Sequence, residues 1–237
     1  MKAKIDEILF RIRHGVPSGH HYCRGSKHGG KVQFTYLPTS GDKKVLDGYC
    51  CYRINYDGGR YATAEGAFHQ DLKENEWEYL LKGSSAIRKM KARFIGGKVS
   101  GTVDYKRRES TIGYTVYSHL QFDVVDGVVI GRIKGILTGG ELKGFCDDEG
   151  RADGEWTFTE VEDDRARCVR HELWSHGTLQ SSYEEDLVRK KRLEKSVKVS
   201  SLFDMILDGD ISELLHIFRQ GSENHIKFIR AESPKSE

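Results

Sequence analysis

The chain has 237 residues, of which 31% are charged and 37% hydrophobic, with a formal net charge of +2. That apolar share is lean for one deep spherical core, but it suffices for an array in which each unit buries one face against its neighbours. The small net charge supplies no global basic field for nucleic acid. No window is apolar enough for a signal peptide or a membrane span, so a soluble, cytoplasmic protein is expected.

Taken in chain order, Ile5, Ile8, Leu9 and Ile12 recur at i, i+3, i+4 and i+7. That spacing predicts an amphipathic N-terminal helix over residues 1–15, ending near Gly15 and capping the array that follows. His20-His21-Tyr22-Cys23, with His28 beyond, contains side chains that zinc accepts. It lacks a second ligand pair at zinc-finger spacing, so a solvated loop with no metal is expected. The five cysteines (Cys23, Cys50, Cys51, Cys146 and Cys168) are odd in number and without framework spacing, which predicts reduced thiols. Cys50 and Cys51 are strand neighbours, so one thiol is expected inside and the other outside.

From residue 16 to 183 one short pattern recurs: an apolar residue, a polar one, then an aromatic. It reads Val32-Gln33-Phe34, Ile54-Asn55-Tyr56, Trp77-Glu78-Tyr79, Val103-Asp104-Tyr105 and Trp156-Thr157-Phe158. Ile133-Lys134-Gly135 and Leu179-Gln180-Ser181 are weaker copies. A period in the twenties marks a repeat architecture, and polar/apolar alternation marks strands with one packed face. Glycine stands two residues ahead at Gly30, Gly101, Gly131 and Gly154, where it permits a turn or bulge; Tyr52 and Asn75 hold that place in two other copies. A second strand carries a small residue before an aromatic, in Glu65-Gly-Ala-Phe68, Lys91-Ala-Arg-Phe94 and Lys143-Gly-Phe145. The pair makes one antiparallel hairpin per repeat, with the small residues letting neighbouring rings lie across the backbone. Lys106–Tyr117 reads as an insertion that lengthens one unit. The stripe of Trp77, Tyr79, Tyr105, Trp156 and Phe158 is either core or, in an open sheet, a contact platform.

Charge is uneven along the array. Residues 86–108 hold eight Lys/Arg against Asp104 alone, and residues 147–164 hold nine acids against Arg151 alone. Such a bipolar surface favours oriented association with a protein partner, or head-to-tail self-association. His171, Glu172, His176 and Asp186 offer acid/base groups, but the spacing of the two histidines does not place them on one helical face. Beyond residue 183 the alternation stops, and 184–237 is expected to be helical. Ser201-Leu-Phe-Asp204 and Asp210-Ile-Ser-Glu213 read as capping boxes, ahead of apolar faces formed by Leu202, Phe203, Ile206 and Leu207 and by Leu214, Leu215 and Phe218.

The segment Gly144-Phe-Cys-Asp-Asp-Glu-Gly-Arg-Ala-Asp-Gly-Glu-Trp-Thr-Phe158 resembles a MORN repeat of the bacterial variant type, most closely in Asp153–Phe158. Ser100-Gly-Thr-Val-Asp-Tyr105 and Gly131-Arg-Ile133 are fainter versions. The resemblance spans roughly residues 25–183. It implies a mainly β fold, an elongated, twisted, single-layer sheet of tandem antiparallel hairpins with short helices at both termini.

The function expected is that of a non-catalytic scaffold for protein–protein interaction, with Arg88, Lys89, Arg93, Arg107, Arg108, Trp77 and Trp156 as partner contacts. No cofactor and no nucleic acid are expected. The resemblance adds an antitoxin-like role. It also adds, as an alternative, an anionic lipid or membrane surface bound through the basic stretch 86–108. A third reading is an enzyme whose pocket uses His171, Glu172 or the His20–His28 loop.

Overall fold

Alternating side chains and closely spaced turn residues lead each strand directly back along the one before it, which yields a meander. The computed structural model describes residues 2–27, 30–39, 44–163 and 165–194. A helix, α1 (Lys2–His14), precedes the strands β1 (His21–Lys27), β2 (Gly30–Pro38), β3 (Lys44–Asn55), β4 (Tyr61–His69) and β5 (Leu72–Lys82). There follow β6 (Ala86–Ile95), the two-residue β7 (Lys98–Val99), β8 (Gly101–Thr111), β9 (Tyr114–Val125) and β10 (Val128–Leu137). The last are β11 (Gly140–Cys146), β12 (Gly154–Glu162), β13 (Arg165–Ser175), β14 (Thr178–Asp186) and β15 (Lys191–Glu194). All pair antiparallel in one open sheet in sequence order, with β7 paired to β6 beside the main path. The expected mainly β, tandem-hairpin fold is therefore present. The sheet runs past residue 183 to Glu194, while the capping boxes and apolar faces expected at 201–218 lie outside the described residues.

One ladder of side chains crosses the sheet, one residue per strand: Val32, Tyr52, Ala64, Tyr79, Met90, Tyr105, Leu120, Gly135, Leu142, Phe158, Arg170 and Glu184. Beside it on the same face stand Phe34, Cys50, Trp77, Val103, Phe122, Ile133 and Trp156, all buried. Among the described residues no second layer covers this face; the helix α1 lies on the other one. Bulges at Phe34/Tyr36, Glu65/Ala67, Ile130/Ile133, Glu160/Val161 and Leu173/Trp174 sharpen the twist. The apolar side chains pack strand against strand along this one face.

The repeat visible in three dimensions is a seven-residue unit: Leu46–Tyr52, Lys73–Tyr79, Val99–Tyr105, Val129–Gly135 and Ala152–Phe158. Its first residue is buried in all five copies. Its third residue, Gly48, Asn75, Gly101, Gly131 or Gly154, has a positive φ, between 61° and 107°. Glycine enters such a conformation freely and asparagine more readily than most residues, which explains the exchange at Asn75. The register corrects three of the copies expected from spacing. Val32-Gln33-Phe34 lies on β2, antiparallel to the others. Cys50-Cys51-Tyr52 replaces Ile54-Asn55-Tyr56, whose Tyr56 is exposed. In β14 the ladder passes through Glu184, not through Leu179-Gln180-Ser181.

The unit's first two residues clamp the tip of a following hairpin. Leu46, Lys73, Val99 and Ala152 each accept, at the backbone oxygen, the N–H of the second turn residue: Asp71, Gly97, Gly127 and Gly177, at 2.8–3.0 Å. The next side chain, from Asp47, Glu74, Ser100 or Asp153, accepts the N–H of the first turn residue, Gln70, Gly96, Asp126 or His176. Both residues of each turn have positive φ, as a type I′ hairpin requires. Rings close the packing from the other side. The Trp77 ring lies over Gly66 and the Trp156 ring over Gly144, where a Cβ would stand 2.3 and 2.2 Å from Cδ2. The Nε1–H of each indole donates to a neighbouring carbonyl, Ala67 at 3.0 Å and Phe145 at 2.9 Å.

The helix α1 departs from expectation in orientation. Ile5, Ile8, Leu9 and Ile12 are exposed, and Phe10 is buried. Phe10 sits among Tyr22, Tyr49 and His14, and His14 stacks on Tyr49 at 3.6 Å. Tyr22 and Tyr49 point away from the ladder, so α1 rests on the outer face of β1–β3 rather than capping the core.

Candidate interaction surface

The outer face is polar, and several of its charges are paired, across strands or along one. Lys89 reaches Glu78 at 2.7 Å, and Lys91 bridges Glu76 and Glu78 at 3.1 and 3.5 Å. Lys106 lies 3.5 Å from Asp104, which also meets His119 and Gln121 at 2.9 Å. Burial pushes the Asp104 carboxyl up, but the hydrogen bonds from His119 and Gln121 outweigh it and hold the group below the usual carboxylate value.

The register sets like charges opposite one another in the basic stretch, Arg88 against Arg107 and Lys89 against Lys106. Such pairs destabilise a sheet unless other groups neutralise them. Arg107 is half-buried and held by Glu109 at 2.6 Å. Arg88 is half-buried and lines a pocket with Tyr56 and Arg60. Arg93 and Arg108 are exposed and have no carboxylate partner among the described residues. Of the seven expected contacts, the structure therefore presents two as open cations. Trp77 and Trp156, at 1% and 0% exposure, belong to the core, and their rings offer no surface to a partner. The physical reason is that each ring lies across a glycine of the neighbouring strand, Gly66 or Gly144, and Phe68 and Phe94 pack edge-on to Trp77.

The β8–β9 hairpin stands out at the edge opposite the tip turns. Its pairing continues six residues beyond the ladder residue Tyr105, to Thr111 opposite Tyr114. The flanking β6 and β10 stop four and two residues beyond theirs, at Ala86 and Leu137. The expected insertion at Lys106–Tyr117 is thus an extension of a regular hairpin. Ile112 at its tip is fully exposed, and Tyr114 and Tyr117 are exposed too. At its base Ile87, Arg108 and Tyr117 form one cross-strand row on the outer face. An arginine among exposed aromatic and aliphatic side chains has the composition of interface hot spots. The acidic segment lies on and before β12, four strands from β8 in the sheet order. Part of its charge is internally engaged: Asp147 meets Arg151 and His176, and Glu155 meets His171.

The groups considered for catalysis or metal binding point apart. His20 is bound to Asp47 at 2.8 Å, which also meets His69 at 3.1 Å, while Cys23 is in the core. His28 lies outside the described residues. His171 stacks on Tyr183 on the outer face, and Glu172, its neighbour, is fully buried against Arg170 and Trp174. His176 and Asp186 sit at opposite ends of β13–β14. Among the described residues no three His, Cys, Asp or Glu side chains form a metal-holding group, and no helix is long and apolar enough to cross a membrane. Cys50 is buried and Cys51 half-exposed, on opposite faces as alternation predicts. Burial pushes the Cys50 thiol far up.

One buried ionisable group had no signal in the alternation pattern. Lys73 occupies the first position of its repeat, where other copies carry Leu, Val or Ala, and is 2% exposed. Its ammonium donates to the Tyr79 hydroxyl at 2.7 Å and lies 4.6 and 5.1 Å from the Trp77 and Phe94 ring centroids. Desolvation lowers it to about 8. Aligning the seven-residue units would have exposed it as a lysine in an apolar place.

No protein-family model matches the chain, and no curated protein matches it either.

Proposed function

We propose that the chain is a degenerate MORN-type hairpin array acting as a non-catalytic, cytoplasmic scaffold for a protein partner, which it meets with the extended β8–β9 hairpin and the row Ile87–Arg108–Tyr117. The observation that carries this reading is the length of that hairpin. The hairpin runs on past Glu109, the last residue paired to β6, and past Ser118, the last paired to β10; Ile112 and Tyr114 lie in that extension, and Tyr117 stands at its base beside the exposed Arg108. Exposed apolar groups next to an arginine favour association with protein. The MORN reading is supported by the glycine-bearing units and by the tryptophans stacked on Gly66 and Gly144. An antitoxin-like role is one form this scaffold could take. An anionic lipid surface fits the stretch 86–108 less well, because Lys89, Lys91 and Lys106 already have acidic neighbours.

A photo-crosslinker placed at Tyr117, in an extract of the source cells, should yield an adduct with one protein. Arg108→Glu should weaken that adduct by about tenfold or more. A crosslinker at Lys143 on β11 serves as the control. The same adducts from both positions, or indifference to Arg108→Glu, would refute this surface.

A further inference from the structure

On the edge that carries the long hairpin, but on the ladder side of the sheet, the β3–β4 and β5–β6 connections enclose an open pocket of about 310 Å3. Tyr56, Arg60, Leu81, Gly83, Ala86 and Arg88 line it, and no carboxylate does. Lys82 flanks it, with its ammonium 5.8 Å from the Tyr61 ring. The volume is at the small end for ligand sites and suits a body the size of one large side chain.

Both walls are held in shape by the backbone. Tyr56 N–H donates to the Arg60 oxygen at 2.8 Å, closing a connector whose turn needs the left-handed Gly58 and Gly59. This brings an exposed tyrosine and an arginine to one mouth. The Arg60 Nε–H donates to the Asp57 oxygen at 2.9 Å, which fixes the guanidinium and leaves its two amino groups to a ligand. Across the pocket, Gly83 N–H donates to the Ala86 oxygen at 2.7 Å, and Ser110 N–H to the Ser85 oxygen at 2.8 Å, tying that turn to β8. Arg88 stands opposite Leu81 on one side and Arg107 on the other. Glu109 is hydrogen-bonded to Arg107 and also feels the charge of Arg88. With Arg60 included, the region holds an excess of positive charge in a fixed, partly apolar cleft.

We infer that this pocket binds a carboxylate or phosphate group carried on an apolar body: Arg60 and Arg88 take the anion, and Tyr56 and Leu81 take the body. Planar guanidinium groups match the paired oxygens of either anion. The ligand is a free small molecule or the terminal residue of a peptide, since both present the same chemistry. The site is separate from the outer-face row at Arg108 and stands whether or not that surface binds a protein.

Titration of the full chain with benzoate, phenyl phosphate, inorganic phosphate and benzyl alcohol, followed by amide NMR, tests it. Benzoate or phenyl phosphate should saturate, with shifts confined to residues 56–60 and 81–88. The two half-ligands should bind about tenfold more weakly or not at all. A free source is indicated if these small acids bind at least as well as a Gly-Gly-Phe peptide. A peptide source is indicated if that peptide binds tighter and its C-terminal amide does not. Arg60→Gln with Arg88→Gln should lower affinity about tenfold, and Tyr56→Ala, an exposed position that leaves the fold intact, should also weaken it. Lys143→Gln should change nothing. The proposal fails if no probe saturates by about 10 mM, if the shifts map elsewhere, or if folded variants bind like the parent chain.

Discussion

Lys73 shows how a single residue can be wrong for its slot and still be accommodated. Aromatic faces and one hydroxyl stand in for the water it has lost, but they do so incompletely, since its folded value falls to about 8 from 10.5. Between those values the unfolded chain holds a proton that the folded chain has released, so stability conferred by this group rises with pH there. Buried Cys50 and Tyr79 act the other way above about pH 9, because folding keeps their protons on. Comparison with Lys73→Met isolates the lysine. Urea unfolding should show the parent gaining on the variant by about 1–3 kcal/mol from pH 7 to 10; a constant difference would mean that the ammonium is not desolvated. Gly144 is a residue of the opposite kind, required by what it lacks. Gly144→Ala drives a methyl into the Trp156 ring and should cost about 2–3 kcal/mol in urea unfolding. Gly113→Ala, with open space but a φ of +96°, should cost only backbone strain of about 1 kcal/mol. Equal losses at the two sites would show that the ring shifts aside freely.

At the scale of elements, pattern and packing part company in α1. Its aliphatic stripe predicts which face is buried, yet Phe10 and His14 dock on Tyr49, and Arg11 bonds to Glu7 and to the His20 oxygen. Aromatic stacking and these polar ties fix the helix rotation, which leaves the aliphatic residues outward. Phe10→Ala should therefore release the helix, seen as faster amide exchange across Lys2–His14, with a loss of about 2–4 kcal/mol in local protection. Ile8→Ser should stay within about 0.5 kcal/mol of the parent. The reverse ranking would place the aliphatic stripe, not Phe10, at the contact. Strand neighbours behaved more simply. Cys50 and Cys51 separated to two faces as alternation requires, because a strand leaves a side chain only two directions.

Across the whole molecule, four hairpin tips are clamped to the start of an earlier repeat through one backbone and one side-chain acceptor. The contacts are therefore local in sequence, and the array grows by adding units rather than by closing around a centre. Two consequences follow for the binding surfaces. A hairpin that outgrows its neighbours, as β8–β9 does, carries its end beyond the packed region. Connections between hairpins can form clefts, as at Tyr56–Arg60 and Gly83–Ala86, without disturbing the ladder.

The sequence by itself determined the hairpin array, its approximate period and the pairing of small residues with rings. Those depend on alternation and on the few residues that tolerate tight turns, such as Gly154 ahead of Trp156. Only the tertiary structure decided the phase of three repeats, since an alternating strand reads alike in either direction and at any even offset, and only its pairing says which residue joins the ladder. It also decided that Trp77 and Trp156 are core, because their burial depends on how closely each ring settles on the glycine beside it and on its neighbouring rings. Finally, it decided which cations remain open. Glu76, opposite Arg93 in the register, reaches Lys91 instead, and Arg108 has Ile87 and Tyr117 opposite it, so openness depends on pairing and on which neighbour a carboxylate reaches.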